Sequence, residues 1–148
     1  MSTTVNIVCP HCTATNRLPQ DKPAGAARCG ACHRPLFSGH PAAVDGAALD
    51  KHRRANDIPV LVDVWAPWCG PCRAMAPMFD AAATQLEPSV RLLKLNADDH
   101  QPTSAALGVS GIPALLLFQH GELIARNAGA MDARNIIAWT RRELGQAA

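Results

Sequence analysis

All six cysteines of the chain fall into C-x-x-C pairs, Cys9/Cys12, Cys29/Cys32 and Cys69/Cys72, and this spacing constrains the chain more than any other feature. Two thiols three residues apart can reach a common metal ion or each other. In a reducing compartment the pattern therefore points to metal or redox chemistry rather than to a disulfide framework. The 148 residues leave room for one ordinary domain of about 100 residues and a small appendage, not for two full cores. No stretch approaches the roughly 18 uninterrupted apolar residues of a membrane-spanning helix, so a soluble chain is expected. Met1 to Pro10 show neither a basic start nor an apolar run with a small-residue cleavage site, so the expected location is the cytoplasm.

Residues 1–40 are rich in Cys, Pro, Gly and Ala, lack a helical period, and need a metal or disulfide staple because so short a segment cannot build an apolar core alone. Sixteen residues separate Cys12 from Cys29, inside the window for a four-thiolate zinc site. Each pair makes a knuckle with two sulfurs on one side of a tight turn. Two knuckles close a tetrahedron with Zn–S distances of about 2.3 Å and no open position, so such a site is structural. The same four residues would also hold iron in an S4 site, or close two redox-active disulfides. His11 and His33 are bystanders to a shell that four cysteines complete. The module carries Arg17, Lys22, Arg28 and Arg34 against Asp21, a local +3 within a net charge of +2 for the chain. Four thiolates around a dication add −2, so these cations read as local compensation on a solvated face rather than as a nucleic-acid surface. Ser38-Gly39-His40-Pro41 is the expected seam between a metal-binding module at 1–40 and a second domain at 41–148.

Beyond the seam, a short helix is expected near 46–56. Ile58 to Trp65 is an almost continuous apolar run, fitting a strand buried on both faces, with Asp63 the exception in it. From Gly70 to about Leu86, Met75, Met78, Phe79, Ala82, Ala83 and Leu86 recur at helical spacing, with Pro77 as a kink. A second strand at Val90–Leu95, a weaker helix at Gln101–Leu107, a strand at Ala114–Phe118, a hairpin through His120-Gly121, and a final helix capped by Asp132 complete an α/β pattern. The order predicts a mixed central sheet with helices on both faces.

Trp68-Cys69-Gly70-Pro71-Cys72 lies where the buried strand gives way to the long helix. Unpaired N–H groups and the positive end of the helix dipole favour a thiolate at Cys69, which is therefore the expected nucleophile. Cys72, one turn on, is within disulfide reach and is the expected resolving thiol. Gly70 permits the tight turn, and Pro71 occupies a first-turn position that needs no N–H.

Here the sequence resembles the thioredoxin family. The resemblance rests on Val62-Asp63-Val64-Trp65-Ala66-Pro67-Trp68-Cys69-Gly70-Pro71-Cys72, Lys94-Leu95-Asn96, Gly111-Ile112-Pro113, Gly121-Glu122 and Gly129, in family order across roughly residues 44–145. With the four N-terminal cysteines, Asn16-Arg17-x-Pro19 and Leu36-Phe37-x-Gly39, it narrows to the zinc-containing thioredoxin 2 type of bacteria, a thioredoxin fold behind a small zinc ribbon.

The resemblance implies a protein-disulfide reductase acting by dithiol–disulfide exchange, with Asp63 the buried proton acceptor for Cys72 and Lys94 its neighbour. It implies Pro113 as a cis-proline facing the disulfide, Trp68 as an exposed tryptophan beside it, and Ile112–Pro113 as an edge that pairs with extended substrate backbone. It further implies disulfide-containing partner proteins, regeneration by an NADPH-dependent flavoprotein reductase with no flavin or nicotinamide bound here, electron transport as the cellular role, and a monomer. Ala114 and Val64 depart from common family residues, which bears on substrate preference. An oxidant or isomerase is disfavoured by Gly70-Pro71, and a binding module with a vestigial redox centre by the presence of Asp63 and the Pro113 segment. A zinc module that senses oxidation by releasing its metal is the remaining hypothesis.

Overall fold

Past Pro59 the apolar run becomes the central strand of a five-stranded sheet, and the rest of the molecule is arranged around its two buried faces. The computed structural model describes residues 3–146. The chain runs through β1 (Thr4–Val8), β2 (Thr15–Pro19), a 3-10 turn at Ala24–Ala26, β3 (Ala42–Ala43), α1 (Gly46–Ala55), β4 (Val60–Trp65), α2 (Gly70–Leu86), β5 (Arg91–Asn96), α3 (Gln101–Ala106), β6 (Ala114–Gln119), β7 (Glu122–Ala128) and α4 (Ala133–Glu143). The main sheet has the order β3-β5-β4-β6-β7, and β1 and β2 form a separate hairpin. Strand β4 is parallel to β5 and antiparallel to β6.

Side chains alternate across a strand, so Leu61, Asp63 and Trp65 of β4 point to one face and Val60, Val62 and Val64 to the other. On the first face Leu61, Leu92, Leu115 and Leu117 meet Met75, Phe79 and Leu86 of α2 and Ile136 and Trp139 of α4. On the second, Val60, Val62, Val64, Leu93, Leu95 and Phe118 meet Leu49 of α1. Coverage of both faces is why the strands read as continuous apolar runs. Asp45 and Asp132 cap α1 and α4, accepting from the N–H groups of Ala48 at 2.7 Å and Asn135 at 2.8 Å.

Three features differ from the sequence expectation. The central strand starts at Val60 rather than Ile58, since Pro59 has no N–H to give to a ladder. Strand β3 is two residues long, too short to leave a periodic trace. Within the first forty residues Thr4–Val8 and Thr15–Pro19 pair as an antiparallel hairpin, strands that the expectation of a zinc ribbon had left without positions.

The N-terminal module rests directly on the main sheet. Ile7, Leu36 and Phe37 form a small cluster with Cys9 and Cys29, against which Ile58 packs from beyond the seam. The end of α1 pairs with β1: Asn56 Oδ1 accepts from Val8 N at 2.7 Å, Asp57 Oδ2 accepts from Asn6 N at 2.7 Å, and Asp57 N donates to Asn6 O at 2.9 Å. Arg91, only 1% exposed, donates from Nη2 to the carbonyls of Val8 at 3.1 Å and Leu36 at 2.8 Å. Its guanidinium lies 4.2 Å from the centroid of the Phe37 ring, and its Nη1 is 3.6 Å from Glu87 Oε2. Glu87 Oε1 accepts from Gly39 N at 3.0 Å.

Candidate functional site

Cys69 occupies the N-cap of α2, and its sulfur accepts from the N–H of Cys72 at 3.2 Å. Gly70 and Pro71 fill the first turn, where the missing N–H of proline costs nothing. Cys69 and Cys72 are joined in a disulfide with Cα atoms 5.2 Å apart. Both are buried, with Ala66 beneath them and Trp65 and Ile112 alongside. The sulfur of Cys69 lies 3.8 Å from the carbonyl oxygen of Ile112, and the Ile112–Pro113 peptide is cis. The segment whose backbone was expected to face the cysteines is thus beside Cys69.

Trp68 is 68% exposed, the most exposed large apolar side chain among the described residues, and its indole Nε1 donates to Asp98 Oδ1 at 3.1 Å. Sequence reasoning did not single out Asp98. A signal existed: Asn96-Ala97-Asp98-Asp99 is a polar turn at the C-terminal end of β5, the end at which parallel β4 also delivers Trp68. Functional loops of α/β sheets gather at that end.

Asp63 is fully buried, and neither carboxylate oxygen has a hydrogen-bond partner. Burial pushes its pKa up to about 7, against the opposing pull of Lys94. Lys94 stands directly across the ladder from Asp63 and is half-buried, with Nζ 4.8 Å from the centroid of the Trp65 ring. Lysine, tryptophan and carboxylate therefore share the face of the sheet that α2 covers.

The other four cysteines converge. Their sulfurs all lie within 4.8 Å of one another, with Cys9–Cys32 and Cys12–Cys29 each 3.6 Å apart. A regular tetrahedron of sulfurs about 2.3 Å from a zinc ion has edges of about 3.8 Å, so the donor set fits a tetrathiolate centre in number, chemistry and spacing. The two knuckles repeat one backbone design. Thr13 N donates to Cys9 O and His33 N to Cys29 O; Cys9 N donates to Ala14 O and Cys29 N to Arg34 O. Thr13 and His33 adopt φ of 64° and 65°, and the N–H groups of His11 and Ala31 point at Cys9 and Cys29 sulfur at 3.3 and 3.4 Å. Asn16, another residue sequence reasoning passed over as a site residue, ties the hairpin to the second knuckle through Gly30 N at 2.9 Å and Cys29 sulfur at 3.5 Å. His11 and His33 stand outside the cluster.

A cysteine pair at a helix N-terminus, over a mixed sheet and beside a cis-proline, defines a thiol–disulfide exchange protein. Comparison with known proteins is specific: the family model for thioredoxin matches residues 41–142, and that for the N-terminal region of thioredoxin 2 matches residues 8–34. Thioredoxin C-3 of Corynebacterium nephridii is 37% identical over 140 residues, covering 95% of this chain and 96% of its own. A thioredoxin of Pseudomonas aeruginosa is 39% identical over 103 residues, covering 70% of this chain and 95% of its own. The solved structure of a mutant thioredoxin from Halobacterium salinarum superposes with a TM-score of 0.65 at 30% identity, covering 72% of this chain and 93% of that one. The chain belongs to the thioredoxin family, with an N-terminal zinc ribbon of the thioredoxin 2 type. It is accordingly a thiol–disulfide oxidoreductase that reduces protein disulfides.

Proposed function

We propose that the work of this reductase is divided between a structural zinc ribbon at residues 1–40 and a redox domain at 41–148, with Cys69 as nucleophile and Cys72 as resolving thiol. The observation that carries the assignment is Cys69 at the N-cap of α2, its sulfur accepting from the Cys72 N–H. That contact and the helix dipole favour a thiolate there. In the reduced protein the Cys69 thiolate attacks one sulfur of a partner disulfide; the partner S–S bond breaks, a mixed disulfide forms, and the second partner sulfur leaves as a thiolate. Cys72 then gives its proton to Asp63 and attacks Cys69. The mixed disulfide breaks, the partner leaves with both electrons as two thiolates that are protonated from Asp63 and solvent, and the Cys69–Cys72 disulfide remains. Asp63 suits the proton transfer because a buried carboxylate with a pKa of about 7 is half ionised near neutrality. Lys94 moderates that proton affinity.

Trp68, Gly70 and Pro71 form one side of the docking surface, and the Ile112–Pro113 edge the other, pairing with extended substrate backbone. The sulfurs of Cys9, Cys12, Cys29 and Cys32 hold zinc, which supplies folding energy rather than a reaction step. The proposed partners are disulfide-containing proteins and an NADPH-dependent flavoprotein reductase that returns two electrons to the disulfide, with flavin and nicotinamide kept on that reductase. The proposed setting is electron transport by a monomer in a reducing cytoplasm.

Trapping tests the assignment. Cys72→Ser mixed with a disulfide-containing protein should accumulate a covalent adduct on Cys69, whereas Cys69→Ser should form none. An adduct with Cys69→Ser, or wild-type turnover by Cys72→Ser, would reverse or remove the roles. Metal analysis should find one zinc per chain, lost when any of the four ribbon cysteines is replaced.

A further inference from the structure

The loop that delivers Ile112 and Pro113 to the disulfide has little structure of its own. Among the described residues, the backbones of Ser110, Gly111 and Ile112 make no hydrogen bond to other backbone groups. Its backbone is therefore tied down at its ends, while the side chains of Val109 and Ile112 pack on the core. At the far end Gly129 N donates to Pro113 O at 2.8 Å, just past the end of β7. At the near end the chain leaves α3 through Gly108, at φ +73°. There Arg126 of β7 reaches over, donating from Nη2 to Leu107 O at 3.2 Å and from Nη1 to Gly108 O at 3.2 Å.

This forked contact has a physical logic. The carbonyls at a helix C-terminus lack partners within the helix and carry the negative end of its dipole, so a guanidinium satisfies both needs. A Cβ at Gly108 would make only ordinary contact with Arg126, 3.5 Å from Nη1, so glycine is favoured there by its φ of +73°. A planar fork holds two successive carbonyls in one fixed geometry, whereas the donors of an ammonium group rotate freely. Both anchors of the loop therefore belong to one edge strand and its immediate continuation, and that strand is held in the sheet through β6.

We propose that Arg126 is a positioning residue for disulfide exchange: by clamping the Leu107 and Gly108 carbonyls it holds the Ile112–Pro113 edge where an incoming protein chain can pair with it. The inference rests on the reading of that edge as the docking surface. It predicts a defect specific to substrates that use backbone pairing. A small aromatic disulfide reaches Cys69 without the edge and serves as the internal control.

The experiment compares wild type, Arg126→Ala and Arg126→Lys, each recycled by NADPH and an excess of thioredoxin reductase, because a free dithiol would reduce the small disulfide directly. Two substrates are used: insulin, and 5,5′-dithiobis(2-nitrobenzoic acid). For Arg126→Ala, KM for insulin should rise about fivefold, within the range for losing an ordinary net hydrogen bond, with kcat held within about twofold. The rate with the small disulfide and the midpoint potential of the Cys69–Cys72 pair should match wild type. Arg126→Lys, which keeps the cation but exchanges the planar fork for a freely rotating ammonium group, should fall between. Equal insulin KM for wild type and Arg126→Ala overturns the role of Arg126, as does an equal loss on both substrates, which would make its effect general to the fold. A wild-type protein that turns over the small disulfide but not insulin overturns the docking reading itself, and the role of Arg126 with it.

Discussion

Asp63 is the residue at which the structure and the reaction make opposing demands. Its carboxyl is fully buried with no hydrogen-bond partner, and burial lifts its pKa to about 7 despite Lys94. In the unfolded chain it titrates near its ordinary value of about 3.9. The fold thus holds the proton more tightly than the unfolded chain does. The corresponding stability is fully present below about pH 4, is lost as pH rises to about 7, and does not change further above that. Asp63→Asn, neutral throughout, should be more stable than wild type above pH 7 by on the order of 4 kcal/mol and indistinguishable below about pH 4. Denaturant unfolding of the oxidised proteins across this range measures it, and a pH-independent difference would mean that Asp63 titrates normally in the fold. The same substitution should slow release of a partner from the mixed disulfide by about a hundredfold at neutral pH, and abolish the rise of that rate as pH passes through 7. Together the two results would show a group retained for proton transfer at the expense of stability.

Among the elements, those with a burial pattern of their own were legible in the sequence, and the ribbon strands β1 and β2 and the two-residue β3 were not. Helix α2 was readable from Met75, Phe79, Ala82 and Leu86, and β4 from its apolar run, because burial on a helical stripe or on both strand faces writes itself into local spacing. The cysteine pairs were legible for the same reason: their chemistry lies within four residues. Asp63 stood out as one charge in an apolar strand. Partners far apart in sequence left no such trace. Trp68 finds Asp98 30 residues on, Asn16 finds Cys29 across 13, and Arg126 finds Gly108 across 18. Contact between α1 and α3 is of this second kind. Gly46 opens α1, and a Cβ there would run into Oγ1 of Thr103 in α3. Glycine to alanine in a helix ordinarily stabilises by about 0.4–1 kcal/mol. Here Gly46→Ala should instead destabilise by about 1–2 kcal/mol through overpacking, and Thr103→Ala in the same chain should recover most of that loss. A double-mutant cycle in denaturant decides it; a stabilising Gly46→Ala would mean that Thr103 gives way freely.

At the scale of the whole molecule, the question is whether ribbon and redox domain unfold separately. The sequence suggested separability through the seam at Ser38–Pro41, and Arg91 in β5 gave no sign of its role because its ribbon partners lie 83 and 55 residues away. The structure argues for coupling. Burial lowers the Arg91 pKa to about 10, with Glu87 and Cys9 pulling the other way, so the guanidinium remains charged at neutral pH. The Glu87 carboxyl is pushed up by burial despite Arg91. Both charges pay a desolvation cost that neither fully returns to the other, and the ribbon carbonyls of Val8 and Leu36 supply further compensation. If the ribbon unfolds on losing zinc, Arg91 loses those partners and the stacked Phe37 while Glu87 loses the Gly39 N–H. Thermal unfolding of the zinc-loaded protein should then be one transition, and zinc removal should lower the midpoint of the redox domain itself, followed by near-ultraviolet circular dichroism of Trp139 in a Trp65→Phe, Trp68→Phe background. Arg91→Met should cost about 3 kcal/mol in the loaded protein, because it strands a buried carboxylate and two carbonyls, and should blunt the response of the domain to zinc. Adding Glu87→Gln should recover part of the loss. Two transitions, with the Trp139 signal unmoved by zinc removal, would mean that the ribbon is a passenger and that Arg91 serves only local packing.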